Sequence, residues 1–342
     1  MKTIAFFNNK GGVGKTSLVY HLAWMFADKG KKVLAVDLDP QANLSSMFIP
    51  EGRLEKLWDE GSGNSIIDSL RPLQEGEGLG KARTEKIANG LQLMAGHLEL
   101  SKFEDRLSDS WARSSDGEVL SLRFLSAFHS LISEAAQQNA SDLALIDVGP
   151  NLGAINRSAM LASDHVILPL APDLYSLQGM KNLGPTLREW RRGWEERKKK
   201  AKERSSTIKF SLPDGGMHPA GYVLMQHAIR DGRPVQAYTK WAQRIPDVYS
   251  REVMDDNSPK NPSTEIRKVE EDSNCLAMLK HYRSLMPMAM EAHKPIFRLT
   301  SADGAIGAHT YAVQNCKKDF EQLADRVLKA TEYVGAEESA LG

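Results

Sequence analysis

Near the amino terminus, glycines and lysines are spaced in a way that suits phosphate binding. The segment Asn8–Ser17 reads NNKGGVGKTS and lies between an apolar run and a helical pattern. Glycines let the backbone turn tightly, so that amide groups point at phosphate oxygens, and the following helix adds its positive end. Lys15 would contact the β- and γ-phosphates, and the Thr16 hydroxyl could ligate Mg²⁺. We predict a nucleoside triphosphate site made of Lys10, Gly11, Gly12, Val13, Gly14, Lys15, Thr16 and Ser17.

This loop departs from the strict pattern G-x-x-x-x-G-K-[ST] at one position. Asn9 stands where the first glycine would be, and Lys10 is an additional cation beside the phosphates. The alternative is a glycine-rich turn with incidental lysines. The strand before the loop and the helix after it favour the phosphate site, because that context is what the motif needs.

Three aspartates follow predicted strands and could complete such a site. Asp37 and Asp39 lie in VDLDPQAN, where alternation puts both on one side of an extended chain. Asp147 ends the apolar run LALI, a position from which it would hold the Mg²⁺ shell through water. We predict that Asp37 assists the metal site or its loop. The alternative is that strand-end aspartates simply form turns.

The elements that must position these residues alternate along the chain. Short apolar runs predict buried strands, and the stretches between them carry apolar residues at helical spacing. This alternation predicts an α/β fold with a doubly wound, mostly parallel sheet flanked by helices, and ligands at the carboxyl ends of the strands. The predicted strands are Thr3–Phe7, Lys32–Val36, Leu143–Ile146, Val166–Leu170 and Gly221–Met225, and the predicted helices are Ser17–Lys29, Leu120–Gln137 and Ile155–Ala162.

Length, charge and cysteine content limit which class of protein this can be. The chain has 342 residues and equal numbers of acidic and basic side chains, 44 each, which argues against a histone-like polycation. Cys275 and Cys316 are the only cysteines, so a disulfide framework is excluded. We find neither a signal-peptide pattern nor an apolar run near the roughly 18 residues that span a membrane. We predict a cytoplasmic protein without membrane contact, built as one domain over 1–342 with elaborations at about 61–86 and 188–216.

Four ordered motifs resemble the ParA/MinD family of deviant Walker-A ATPases, with the best match to ParA partition ATPases. They are KGGVGKTS, VDLDPQANLS, LALIDVGPNLG and VILPLAPDLYSLQG, within about residues 1–180, and the match from Lys294 onward is looser. The resemblance implies ATP as the nucleotide and a dimer that sandwiches two ATP molecules, with Lys10 reaching the partner's nucleotide. It also implies that Asp39 orients or activates the attacking water. Val148-Gly149-Pro150 departs from the family's Asp-x-Pro-Pro, which leaves the switch behaviour of that turn open.

The family comparison also suggests contacts with the base. Pro172 and Asp173 follow the VILPL strand where the family closes around adenine, and Gln226 follows GYVLM, where an amide could read the base edge. Ordinary surface loops would explain these residues as well.

A basic segment is the candidate DNA surface, since family members commonly bind DNA non-specifically. REWRRGWEERKKKAKER covers residues 188–204, and on a helix Arg188, Arg192 and Lys199 share one side. The opposite side would dock through Leu183, Leu187, Trp190 and Trp194. The alternative is a solvated charged helix with Glu–Lys pairs.

The expected function is slow ATP hydrolysis that times a DNA-bound dimer, with a ParB-like or cargo-adaptor activator and association with the nucleoid. A membrane-surface ATPase like MinD would need a basic amphipathic carboxyl-terminal helix, and an electron-donating ATPase like the nitrogenase iron protein would need cluster cysteines. A nucleotide-gated subunit of a larger defence or signalling complex stays open, because the 214–272 segment is longer than a minimal ParA would need.

Overall fold

The computed structural model describes residues 1–59, 64–204, 208–227, 229–230, 233–234, 240–256, 268–280, 282 and 284–338. For residues 226–234 and 333–338 within these ranges, only the backbone is described. An eight-stranded sheet forms the centre, in the order β10-β7-β6-β1-β5-β2-β4-β3. All neighbouring pairs are parallel except β3 with β4. The predicted doubly wound, mostly parallel sheet is therefore confirmed.

The strands are short and mostly buried. Every residue of β2, β5 and β6 is buried, as expected for parallel strands covered on both faces. A separate antiparallel pair is formed by β8 and β9. The strands are β1 (Lys2–Phe6), β2 (Val33–Asp37), β3 (Glu85–Ala88), β4 (Leu91–Met94), β5 (Leu143–Asp147), β6 (His165–Leu170), β7 (His218–His227), β8 (Ile229–Arg230), β9 (Arg233–Pro234) and β10 (Cys275–Lys280).

Helices cover both faces of the sheet and enclose two apolar cores. One core lies under α4 to α10, and the other lies under α1 to α3, α11 and α12. The helices are α1 (Lys15–Asp28), α2 (Asn43–Phe48), α3 (Glu51–Trp58), α4 (Ile66–Gln74), α5 (Phe103–Arg113), α6 (Val119–Leu125), α7 (Ala127–Asn139), α8 (Ala154–Leu161), α9 (Leu174–Arg204), α10 (Ile245–Val248), α11 (Met286–Glu291) and α12 (Ala308–Glu338). A π-helical turn at Tyr249–Val253 continues α10.

Two predicted segments differ in the structure. The expected helix Leu120–Gln137 is two helices, α6 and α7, which meet at Ser126. The elaboration at 61–86, predicted to be loop-rich, contains α4, whose start is stabilised by a capping box between Ser65 and Asp68. Strands β3, β4, β8, β9 and β10 were not predicted. The first two have four residues each, β8 and β9 have two each, and β10 lies at an edge of the sheet.

The elaboration predicted at 188–216 begins inside α9, which continues to Arg204. Leu183, Leu187, Trp190 and Trp194 are all buried, so the predicted docking side of this helix is confirmed. In the part of the chain that the structure describes, no helix combines the length and the apolar character needed to cross a bilayer.

Candidate active site

The phosphate-binding loop joins the end of β1 to the start of α1. Gly12 and Gly14 have φ angles of 73° and 90°, in the left-handed region that side chains disfavour. Asn8 braces the loop from below: its Oδ1 accepts the Lys10 backbone N–H at 3.0 Å, and its Nδ2 donates to the Pro169 carbonyl oxygen of β6 at 2.6 Å. The glycines therefore supply the turn, and Asn8 fixes it against the sheet.

A cavity of about 380 Å³ opens above this loop. It lies at the carboxyl ends of the parallel strands, where open α/β sheets bind ligands. All eight predicted loop residues line it, together with Asp39, Gln41, Asn43, Ser46, Met47, Pro150 and Met290.

Lys15 and Asp147 form a buried ion pair at the base of the cavity. Lys15 Nζ lies 3.5 Å from Asp147 Oδ1, and the two side chains are 9% and 0% exposed. Burial raises the pKa of Asp147, whereas the Lys15 ammonium and the Thr16 hydroxyl act in the opposite direction. The structure thus joins two predicted site residues that are far apart in sequence.

The environment of the Asp147 carboxylate also suits contact with a hydrated cation. Both of its carboxylate oxygens are buried, and among the described residues no hydrogen bond of good geometry reaches either of them; Lys15, 3.5 Å from Oδ1, is a charged neighbour. Buried polar atoms normally have closer partners. No group of three or more His, Cys, Asp or Glu side chains among the described residues could hold a metal by itself. Mg²⁺, which keeps several waters and shares phosphate oxygens, fits such a sparse donor set of Thr16 and Asp147.

Asp37 and Asp39 occupy different environments. Asp37 is fully buried, and its Oδ2 accepts the backbone N–H and the hydroxyl of Ser45, each at 2.7 Å. Burial, with Asp147 and Asp39 nearby, raises the pKa of Asp37 to about 7. Asp39 instead lines the cavity, and its Oδ1 accepts the Gln41 N–H at 3.0 Å. Asp37 therefore holds the first turn of α2, and its predicted share in the metal site stays a prediction.

The loop Val148–Gly153 follows Asp147 and is held from two sides. Asn156 Nδ2 donates to the Gly149 carbonyl oxygen at 2.8 Å. The Glu104 carboxylate, from α5, accepts the first two backbone N–H groups of α8, the second at 2.8 Å. Sequence analysis missed Glu104, because no local pattern ties it to a helix that begins fifty residues later.

Lys10 lines the phosphate cavity and also contacts residues at the start of α9. Its ammonium forms an ion pair with the Asp173 carboxylate and lies 5.6 Å from the centroid of the Tyr175 ring. Asp173 also accepts the Ser176 backbone N–H at 2.9 Å and so caps the start of α9. The structure thus places Asp173 beside the additional lysine. The predicted base contact of Asp173 remains a prediction.

A second, more apolar cavity of about 310 Å³ adjoins the loop. It shares Gly12, Val13, Gly14 and Ser17 with the phosphate cavity. Sequence analysis missed its other walls, since most of them come from residues far along the chain from the loop; they include Met225, Leu279, Lys280, Tyr282, Met286 and Phe320. The Gln226 side chain lies outside the described part, and Pro172 is half-buried just before α9 without lining either cavity.

The three cations predicted to face outward on α9 are placed differently. Arg188 is half-buried: its guanidinium donates to the Glu252 carbonyl oxygen at 2.9 Å and lies 3.7 Å from the Asp255 carboxylate. Arg192 and Lys199 are exposed. The expectation of one shared outward face therefore holds for two of the three residues.

Comparisons of sequence place the chain among known proteins. The AAA domain family (AAA_31) matches residues 1–199, more than half of the chain. The sporulation initiation inhibitor protein Soj of Bacillus subtilis is 33% identical over 188 residues, which are 55% of this chain and 65% of that protein. A putative replication protein A of Rhizobium rhizogenes is 30% identical over 187 residues, which are 53% of this chain but 42% of that protein. The match thus spans only part of these curated relatives.

Solved structures agree with the fold. Protein DIP2308 from Corynebacterium diphtheriae has a TM-score of 0.68 and 27% identity, over 86% of this chain and 97% of that chain. A putative plasmid partition protein from Borrelia burgdorferi, bound to AMPPNP, has a TM-score of 0.57 and 18% identity, over 96% and 98% of the two chains. With its phosphate loop, its strand-end aspartates and these similarities together, the chain belongs to the ParA/MinD family of P-loop ATPases.

Proposed function

We propose that this protein is an ATP-driven switch that hydrolyses ATP slowly and, as an ATP-bound dimer, positions DNA or another cargo. The observation that carries the proposal is the buried Lys15–Asp147 pair at the base of the phosphate cavity, in which the Asp147 oxygens, among the described residues, accept no hydrogen bond of good geometry. A purely structural ion pair would gain nothing from a glycine-rich loop of backbone amides above it. A triphosphate with Mg²⁺ uses all of these groups together.

Each group then has a role in phosphoryl transfer to water. The backbone amides from Gly11 to Lys15 bind the phosphates, and the Lys15 ammonium attracts the β- and γ-phosphate oxygens. Thr16 and, through water, Asp147 would hold Mg²⁺, which neutralises charge on the phosphates when it is bound. Asp39 lines the same cavity and orients the attacking water. The base fits the adjoining apolar cavity, between the loop and the chain around Tyr282 and Met286.

Dimerisation gives Lys10 its function in this proposal. In the single chain its ammonium is held by Asp173, the residue just before α9. Both side chains are about one-third exposed, so this pair is weak and can exchange for a phosphate partner. A second copy of the chain would offer that phosphate, as the resemblance implies.

DNA binding is proposed for the exposed side of α9. Arg192 and Lys199 reach solvent and form no ion pair among the described residues, whereas Arg188 holds the helix to the body. Two cations per chain, doubled in a dimer, would bind backbone phosphates without reading sequence. A ParB-like protein or a cargo adaptor is the proposed activator, and nucleoid association would follow from DNA binding.

The test combines binding, hydrolysis and DNA affinity. Fluorescent ATP should bind with Mg²⁺, and Asp39→Ala should keep that binding, lose phosphate release and accumulate as a dimer on DNA. Asp109→Ala, on the exposed side of α5, is the matched control and should behave like the native protein. Loss of ATP binding in Asp39→Ala would show that the role given to Asp39 is wrong.

DNA binding is tested by charge reversal. Arg192→Glu with Lys199→Glu should weaken DNA binding by the dimer and reduce the slope of log affinity against log salt by about 4, since four cations are lost per dimer and about one counterion is released per phosphate contact. Lys318→Glu with Lys329→Glu, two exposed positions of α12, is the charge-matched control. Equal losses in both double variants would refute the placement on α9.

A further inference from the structure

Helix α5 contacts both the start of α8, which follows the loop Val148–Gly153, and the basic helix α9. At its first turn, Glu104 accepts the backbone N–H groups of Ala154 and Ile155. A negative charge at a helix amino terminus is stabilising, and it satisfies donors that otherwise lack a partner. Glu104 thereby fixes the start of α8, and with it the end of the loop that follows Asp147.

Close packing makes this contact specific. A Cβ at Gly153 would lie 2.5 Å from Glu104 Oε1, so only a glycine lets the carboxylate approach at this point. Asn156, one turn into α8, holds the Gly149 carbonyl oxygen. A Cβ at Gly149 would in turn lie 3.6 Å from Asp39 Oδ1. A shift of this loop in response to a γ-phosphate would therefore move the start of α8.

The other end of α5 carries Trp111, which binds two guanidinium groups. Arg157 of α8 lies 4.3 Å from the ring centroid, and Arg197 of α9 lies 3.8 Å from it. Arg197 also donates to the Trp111 carbonyl oxygen at 2.9 Å and to the Ser114 hydroxyl at 2.9 Å. Such cation–π contacts have a defined geometry, so a displacement of Arg157 would change its contact with the Trp111 ring.

Arg157 has an unusual position in this group. Its Nε is buried and has no hydrogen-bond partner in the part of the chain that the structure describes, and its guanidinium also lies 6.0 Å from the Trp190 ring of α9. Burial and the nearby Arg197 lower its pKa to about 10. Two aromatic rings hold this cation, and the carboxylates that attract it, those of Glu104 and Glu189, form no close ion pair with it among the described residues. A small movement of α8 can change such a contact.

We propose that α5 couples the nucleotide site to the basic helix: Glu104 is a positioning residue for the loop after Asp147, and Trp111 transmits the position of α8 to the part of α9 that carries Arg192 and Lys199. This inference rests on the proposed function, because it assumes that the nucleotide controls α9. This coupling requires that both ends of α5 differ between the same two states of the protein, with and without bound nucleotide.

The experiment measures hydrogen exchange in the full chain, with and without Mg²⁺ and the slowly hydrolysed analogue ATPγS. In the native protein we expect the analogue to change exchange both in α8 and in residues 190–204 of α9. Trp111→Leu should keep the change in α8 and lose that in α9, and Glu104→Ala should lose both. Glu104→Gln, which keeps an acceptor oxygen, should restore part of each change. A second readout is DNA affinity with ATPγS relative to ADP, expected to fall from about 10-fold to below about 3-fold in both variants.

Matched controls separate coupling from packing. Asp105→Ala removes the neighbouring exposed carboxylate, and Trp241→Leu removes another partly buried indole that lies against cations. Both should keep the native changes in exchange. Trp111→Met, which also removes the ring but fills more of its space, serves if Trp111→Leu does not fold.

The inference is overturned if the analogue binds but leaves α9 exchange unchanged in the native protein, or if the α9 change persists in the Trp111 and Glu104 variants. If the analogue does not bind the native protein at all, the proposed function itself fails, which titration of fluorescent ATP shows separately.

Discussion

Replacing Lys15 by Met tests the buried pair beneath the phosphate loop. The change leaves the Asp147 carboxylate, 0% exposed, without the ammonium 3.5 Å away. Breaking a buried pair by removing one partner costs about 3–5 kcal/mol. We expect the free energy of unfolding at pH 8, without nucleotide or Mg²⁺, to fall by about 3 kcal/mol, because Asp147 can relieve part of the cost by keeping a proton.

The loss should depend on pH in a defined direction. Burial already raises the folded-state pKa of Asp147, and removing Lys15 takes away the main opposing interaction, so this pKa rises further. A carboxyl whose folded pKa exceeds its unfolded value contributes stability at low pH that is lost as the pH rises through the folded pKa. The deficit of Lys15→Met relative to the native protein should therefore be smaller at pH 5 than at pH 8.

Urea denaturation at both pH values measures these differences. Adding Asp147→Asn to Lys15→Met should restore about 2 kcal/mol at pH 8, because the uncompensated charge is then gone. Lys29→Met is the matched control: its pair with Asp325 is 2.8 Å long but 29% and 65% exposed, so the loss should stay below about 1 kcal/mol. If Lys15→Met costs no more than Lys29→Met, or if Asp147→Asn does not restore stability, the reasoning is refuted.

Three further predictions follow from other contacts. Asp37→Asn should lose less stability than the native protein between pH 4 and pH 8 in urea melts. The pKa of this buried carboxyl is raised to about 7, so its ionisation lowers the free energy of unfolding of the native protein by at most about 4 kcal/mol. Asp173→Asn should release Lys10 and strengthen ATP-dependent dimerisation about 5-fold, the equivalent of about 1 kcal/mol, in analytical ultracentrifugation. Gly184→Ala should destabilise the fold by about 3 kcal/mol, since a Cβ there would lie 1.8 Å from a backbone oxygen after α10. The control Gly52→Ala, in α3, meets no described atom within 4 Å and should be neutral or slightly stabilising.

Each of these three predictions would be contradicted by a specific result. An unchanged pH slope in Asp37→Asn would mean that this carboxyl stays ionised in the fold. Equal or weaker dimerisation of Asp173→Asn would mean that the contact with Lys10 does not compete with assembly. Equal thermal midpoints for the two glycine variants would show that α9 can move away from the α10 segment without cost.

Local patterns in the sequence were enough to predict the phosphate loop and the strands that flank it. The loop depends on glycine conformation and on the helix that follows, both encoded within ten residues, and Gly12 and Gly14 do adopt the left-handed φ that this requires. Strands β1, β2, β5, β6 and β7 lie at the predicted apolar runs to within a few residues. Their continuous burial leaves a signal that a short window detects.

Contacts between distant residues were decided only by the tertiary structure. The pairing of Lys10 with Asp173 and the cap that Glu104 forms on α8 leave no periodic signal, because they depend on how the packed helices approach one another. Arg188 and Arg192 show this on a single helix. They share a side by periodicity, yet a neighbouring backbone carbonyl binds Arg188 whereas Arg192 stays in solvent, since helical spacing determines which residues align but not what packs against each of them.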